Sequence, residues 1–264
     1  MLKGAIHVHS TFSDGEFTLR ELRETFLAEG NHFVCVTDHA QAFDPPKLEA
    51  YVRECASLSS DQFLFIPSLE FECYERMHIL GYGITSLIES PDPQEVIQCI
   101  ERAGGISVIA HPKDSALAWI ESFEVLPSGI EAWNSKYDGR YAPRPAVFQL
   151  LHRLQKRKPE MRAFYGQDLH WKKQFRGLLN TLPSAALARE DILTAFRSGD
   201  YQAQKGGLLL PSDGRLPETL MARFEKIHRR SDWMRSLMKR SKKVVDGIGM
   251  GVPSSLKSHL RRIF

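Results

Sequence analysis

The sequence predicts an α/β fold, a parallel sheet covered by helices. Two observations carry that prediction. Over roughly the first 200 residues, short apolar, β-branched runs alternate with amphipathic stretches. Strands buried on both faces and helices packed over them leave this pattern. In addition, His, Asp and Glu recur where the apolar runs end, at the edge where barrels and open α/β sheets build their sites. At 264 residues the chain can bury one large core, or one core plus a small appendage.

The elements follow in order. Residues 4–8 form a strand, and 19–29 a helix with Leu19, Leu22, Phe26 and Leu27 at helical spacing and Gly30 as its stop. A strand over 33–37, a helix over 47–58 and strands over 63–72 and 78–84 come next. The helix over 93–103 opens with proline in its first turn and closes at Gly104-Gly105. Strands over 106–110 and 129–133, a helix over 146–156 and strands over 162–165 and 178–182 complete the alternation. The segment 205–215, with Gly206-Gly207 and Pro211-Ser212-Asp213-Gly214, reads as a linker. Beyond it, Leu216, Leu220, Phe224 and Ile227 make one apolar stripe, and Trp233, Leu237 and Arg240, beside Met234 and Met238, a second. The organisation is therefore a body over 1–204 and a basic, mainly helical extension over 205–264.

Charge divides the same way. Residues 212–264 hold 13 Lys/Arg against 5 Asp/Glu, while the preceding 211 hold 22 against 27. A mildly acidic body thus carries a basic tail, which suggests two jobs, or one job with a docking device. No apolar run approaches the roughly 20 residues of a membrane span, and the first residues enter a strand at once, so a cytoplasmic location is expected. Cys35, Cys55, Cys73 and Cys99 are scattered without a C-x-x-C and read as free thiols. No G-x-x-x-x-G-K-[ST], G-x-G-x-x-G or G-x-S-x-G occurs, which removes support for nucleotide-driven or serine-hydrolase chemistry.

Three fragments concentrate the chemistry: His7-Val8-His9-Ser10-Thr11-Phe12-Ser13-Asp14-Gly15, Thr37-Asp38-His39 and Gly166-Gln167-Asp168-Leu169-His170. Between them stand Glu70, His78, and His111 followed by Pro112. Imidazole and carboxylate together suit borderline divalent metals such as zinc, manganese or iron. A lone histidine on an apolar strand is ordinarily a satisfied core or surface group. Here six of the ten histidines fall in one ordered pattern interleaved with carboxylates. His32, His152, His228 and His259 lie outside it. Glu72, two residues on and on the same strand face, is the rival of Glu70.

The order H-x-H, D-H, E, H, H-P, D-x-H resembles the PHP (polymerase and histidinol phosphatase) family over roughly residues 3–200. The resemblance implies a distorted (β/α)7 barrel and a metal-dependent phosphoesterase, with all nine ligand positions filled. It implies two or three divalent ions (Mn, Zn or Fe). His7, His9, Glu70 and Asp168 would hold the first, Glu70, His78 and His111 the second, and Asp14, His39 and His170 the third. Many members have histidine at the Asp14 position, and a carboxylate there tunes the site toward harder ions. Asp168, His170, Glu70 and His39 are the expected catalytic set. Asp38 is expected to orient a neighbouring imidazole from behind.

Such a trinuclear site would hydrolyse a small phosphorylated metabolite through a metal-activated water. Phosphate needs cations, and Arg144, stiffened between two prolines, is ranked before Arg140 and Lys113; Lys172-Lys173 also follow a site motif. Trp133 and Trp171 flank the region as packing groups or as a platform for a base. Two alternatives stay open. One is an exonuclease on DNA or RNA, its strand held by the tail. The other is a non-catalytic, metal-stabilised scaffold that docks to a membrane surface or partner. For the tail itself, a helical hairpin with a solvated basic face is the plain reading.

Overall fold

The computed structural model describes residues 1–247 apart from 140, 176 and 184, and of 232 and 234–247 the backbone alone. It forms two units, Met1–Leu216 and Pro217–Phe264. In the first, chain order is β1 (Leu2–Val8), α1 (Leu19–Ala28), β2 (Phe33–His39), α2 (Pro45–Leu58), β3 (Leu64–Glu72), β4 (His78–Tyr82), α3 (Pro93–Arg102), β5 (Ile106–Ala110) and α4 (Leu117–Glu121). It continues through β6 (Gly129–Asn134), α5 (Pro145–Leu154), β7 (Arg162–Gly166), β8 (Leu179–Leu182), α6 (Arg189–Ser198), β9 (Gln202–Lys205) and β10 (Leu208–Pro211). Among the described residues the second unit contains α7 (Glu218–Gly247).

Helix boundaries follow local chemistry. Thr18 and Glu21 form a reciprocal capping box at α1, the Thr18 hydroxyl accepting from the Glu21 amide and the Glu21 carboxylate from the Thr18 amide. Helix α2 begins two residues before the expected start. Asp44 accepts from the Lys47 amide at 2.8 Å, and proline suits the first turn. Asp92 and Pro93 open α3 in the same way.

The sheet has ten strands in the order β10-β9-β8-β1-β2-β3-β4-β5-β6-β7. Its seven strands β1–β7 are the expected barrel. Beyond β7 the chain turns back onto β1: the Gln167 amide donates to the Ile6 carbonyl, the Leu169 amide to His7 and the His9 amide to Leu169. Val8 and Leu169 pair as a parallel bridge. These bonds nearly close the sheet and put 167–170 directly over the end of β1.

The sheet is not all parallel. Strand β4 runs antiparallel to both β3 and β5. The five residues between β3 and β4 are too few for a parallel crossover, which takes about a dozen or more. The segment 205–215 is also not a linker. Gly206-Gly207 is the two-residue turn of a hairpin in which Lys205 pairs Leu208 and Gln202 pairs Pro211, and the hairpin extends the sheet through β8. Strand β8 itself runs antiparallel to β1, and α6 was not anticipated.

Apolar residues line both faces of the barrel strands. Val34, Cys35, Ile66, Leu80, Val108, Ile130 and Ala163 are fully buried. Cys35, Cys55 and Cys73 are buried, Cys99 is half-buried, and all four are free. Among the described residues of the tail, α7 runs on where a helical hairpin was expected, and its sequence has no glycine or proline between its ends. Among the described residues no helix is long and apolar enough to cross a membrane.

Candidate metal centre

Three strand ends carry unusual backbone. His7, His111 and Asp168 have φ of 58°, 26° and 50°, in the left-handed region that non-glycine residues rarely adopt. The β1–β2 register shifts between Ala5 and Val8. His7 and His9 therefore converge through an irregular strand end rather than by simple alternation, with ring centroids 5.3 Å apart. Gly166 makes room for them. A Cβ there would overlap Glu131 Oε1 and stand 2.8 Å from His7 Cβ, so the floor of the site requires glycine.

Glu70, at the end of β3 and 1% exposed, is the hub. Its carboxylate lies 3.4 Å from His7 Nε2, 3.2 Å from His9 Nε2, 3.3 Å from His39 Nδ1, 2.8 Å from His78 Nδ1 and 3.2 Å from His111 Nε2. Glu72, its rival, is exposed beyond the strand's buried run. Asp168 lies 3.0 Å from His170 Nδ1 and 3.8 Å from His7, His9 and His111. Asp14 reaches His170 Nε2 at 3.2 Å, and His9 and His39 at 3.6 Å.

Candidate ligand atoms fall into four overlapping groups, each with all atoms within 4.8 Å. These are His9-Asp14-His39-His170, His7-His9-Asp168, His7-Glu70-His111 and His39-Glu70-His78. All nine expected positions are gathered. The partition differs from the family-implied one: His9 joins the Asp14 group, and His78 and His111 meet Glu70 from two sides.

The donor set suits divalent cations, and the buried atoms test that fit. Among the described residues His7 Nε2, His9 Nδ1 and His9 Nε2 are buried with no hydrogen-bond partner. A buried polar atom without a partner is costly, and a cation among these nitrogens would satisfy them. Electrostatics agree. Burial opposes ionisation of Glu70 and Asp168, yet His7 and neighbouring imidazoles hold both well below the carboxylate range. Burial also disfavours a proton on His170, but Asp14 and Asp168 push it up to about 9. Positive charge is therefore wanted around Glu70, Asp168 and His170.

Behind the ligands the structure corrects one role and supplies another. Asp38 is fully buried, and among the described residues its carboxylate bonds hydroxyls and an amide rather than an imidazole. It accepts from the Ser10 amide (2.8 Å), the Ser10 hydroxyl (2.6 Å) and the Ser13 hydroxyl (2.5 Å). Asp38 thus pins the loop that presents Asp14. The orienting carboxylate is Glu131 on β6. It accepts from the His111 amide and the Asn134 carboxamide, and bonds His7 Nδ1, each at 2.8 Å. Its signal in the sequence was a lone charge inside an apolar strand.

The cations also rearrange. Arg144, ranked first for substrate, is engaged by protein: Nε with Asp138, one terminal nitrogen with Asp114 at 2.8 Å and the other with the Pro112 carbonyl. Lys113 is exposed beside His111, and Arg140 lies outside the described residues. The cation that enters the cluster is Lys136, whose Nζ stands 3.1 Å from Asp168 Oδ1 and 3.2 Å from His170 Nδ1. Trp133 is buried and donates its Nε1–H to the Gly139 carbonyl, a packing role, whereas Trp171 is exposed.

No family model matches the chain. Among curated proteins, the DNA polymerase/3'-5' exonuclease PolX of Bacillus subtilis (strain 168) is 45% identical over 147 residues, covering 47% of this chain and 26% of that protein. The match therefore spans about a quarter of the relative's length. Among solved structures, a two-domain protein containing a predicted PHP-like metal-dependent phosphoesterase from Bacteroides vulgatus ATCC 8482 aligns at a TM-score of 0.54. It is 17% identical, and the alignment covers 85% of this chain and 69% of that one. An amidohydrolase from Chromobacterium violaceum aligns at 0.50 and 16% identity, over 76% of this chain and 97% of that one. In its barrel the chain is thus similar to a protein that contains a predicted PHP-like metal-dependent phosphoesterase.

Proposed function

We propose that the chain is a metal-dependent phosphoester hydrolase acting on a small phosphorylated molecule. One observation carries this reading: nine histidine and carboxylate residues from separate strand ends converge on a buried carboxylate hub, and imidazole nitrogens there lack other partners. Divalent ions held there, two or three of Mn, Zn or Fe, would acidify a water and neutralise charge developing on the phosphoryl group. Glu70, shared between two of the groups, is suited to hold neighbouring ions together, and Asp168 stands between His170 and the His7, His9 and His111 rings. Asp14, His39 and His170 form the more open side, since Asp14 is half exposed. Glu131 fixes His7 from behind. Lys136 takes the phosphate-binding role first assigned to Arg144, because its ammonium stands inside the cluster, beside Asp168 and His170, whereas Arg144 is engaged in joining two loops and Lys113 stands outside.

A second reading, nuclease activity by the same chemistry, is favoured by the local likeness to a protein described as a 3'-5' exonuclease and by the basic composition of residues 212–264.

The test is phosphate release with Mn²⁺ from a panel of small phosphomonoesters and from 5'- and 3'-phosphorylated oligonucleotides, with and without chelator. Chelator-sensitive turnover of small esters, abolished in Asp168→Asn together with most bound metal, is the expected result. Turnover of oligonucleotides alone, with steep salt dependence, transfers the assignment to the nuclease. An Asp168→Asn variant with full activity removes this cluster as the active site.

A further inference from the structure

We propose that Tyr137 and Trp171 form an aromatic platform that receives the base of a nucleobase-bearing phosphoester. This rests on the phosphoesterase reading above and names its substrate class.

Most large rings of the barrel are buried, but Tyr137 is 56% and Trp171 46% exposed. Both nevertheless stand against the cluster. The Tyr137 ring is 4.6 Å from that of His111, and the Trp171 ring 5.7 Å from that of His170. They come from different segments, one after β6 and one after β7, and meet around one cation. Lys136 Nζ lies 5.1 Å from the Tyr137 ring and 5.6 Å from the Trp171 ring while touching Asp168.

The arrangement is fixed rather than incidental. Asn134 is fully buried and accepts at its carboxamide oxygen from the amides of Lys136 and Tyr137, both at 3.0 Å. Its amide nitrogen donates to Glu131 and Asp168. One side chain therefore ties the floor of the cluster to the loop that bears the first ring. Gln174 accepts from the amides of His170 and Trp171 and does the same for the second.

A phosphate bound at Lys136 would have its ester group leaving past these two rings. Flat apolar faces suit a planar base, which stacks with little regard to its identity. A sugar phosphate without a base would gain nothing from them. The source of the base, a free mononucleotide or the end of a strand, shares this chemistry.

The experiment compares adenosine 5'-monophosphate with ribose 5-phosphate, which differ only by the base, and adds a short single-stranded oligonucleotide, all with Mn²⁺. The expected kcat/KM favours the base-bearing ester by about tenfold or more, the size of a base–aromatic stack. Tyr137→Ala and Trp171→Ala should collapse that ratio toward one through KM, while Tyr137→Phe and Trp171→Phe retain it. Better turnover of the mononucleotide assigns the base to a free nucleotide, and better turnover of the oligonucleotide to a strand end. Independently of turnover, adenosine 5'-monophosphate should quench tryptophan emission, ribose 5-phosphate should not, and Trp171→Phe should lose the quench. Equal kcat/KM for the two small esters without a quench overturns the platform and leaves the phosphoesterase reading standing. A quench without hydrolysis of any ester overturns the phosphoesterase reading and leaves the platform.

Discussion

His7 has its Nδ1 bonded to Glu131, so its Nε2 is the nitrogen left to face the cluster. A carboxylate behind a ligating imidazole sets both its tautomer and its basicity. Glu131 also accepts from the His111 amide and from Asn134, so it positions two candidate ligands and the loop beyond them. Glu131→Gln keeps the shape but replaces an acceptor oxygen with a donor. The expected outcome is metal affinity reduced about 10–100-fold with the fold retained, read by titration with Mn²⁺ and by circular dichroism. Unchanged affinity would reduce Glu131 to a packing residue. At this scale most candidate ligands were legible, because His7, His9, His39, Glu70, His111, Asp168 and His170 sit at or just past the ends of apolar runs, whereas Asp14, in the loop after β1, and His78, which opens β4, came from the family resemblance. What stands behind them was less so. Asp38 neighbours His39 in sequence yet serves the loop of Ser10 and Ser13, since side chains adjacent in a strand point to opposite faces.

Strand direction and loop course separate what patterns reveal from what they hide. Period-2 and period-3.6 patterns locate strands and helices but say nothing of polarity. The reversal of β4 and the β9–β10 hairpin were available only from connection length and the Gly-Gly turn. Cation partners are harder still, because they depend on where loops travel. Arg144 illustrates this: it joins the loop after β6, through Asp138, to the loop after β5, through Asp114 and the Pro112 carbonyl. The Asp138 side chain is 1% exposed. Burial pushes its carboxyl up, and Arg144 opposes that shift. Arg144→Ala leaves this group buried without its cation, which costs about 3–5 kcal/mol. Adding Asp138→Asn should restore a large part of that loss, both read as shifts in denaturant midpoint. A substrate-clamping Arg144 would instead raise KM and leave the midpoint in place.

Taken whole, the chain concentrates demand for positive charge in one buried site of its first unit and places a basic excess in residues 212–264. The two are not interchangeable. Charge on exposed side chains is screened over about 8–10 Å at physiological salt, while buried imidazoles and carboxylates call for charge at contact distance. The barrel strands converge at this site: the β1 end carries His7, β2 and β3 carry His39 and Glu70, β4 opens with His78, and 167–170 closes onto β1. An ion bound there cross-links strands far apart in sequence, and anything that binds only the folded state stabilises it by mass action. At a hundredfold excess over Kd that amounts to about 2.7 kcal/mol, or a Tm increase of about 5–10 °C for a chain of this size. Mn²⁺ should therefore raise Tm by that amount and excess chelator should reverse it, measured by scanning calorimetry. In Asp168→Asn the increase should shrink markedly, because one group loses its carboxylate and Lys136 its anionic partner. An Asp168→Asn protein that keeps the full Mn²⁺ shift would move metal binding away from the strand-closing residues and detach barrel stability from this cluster.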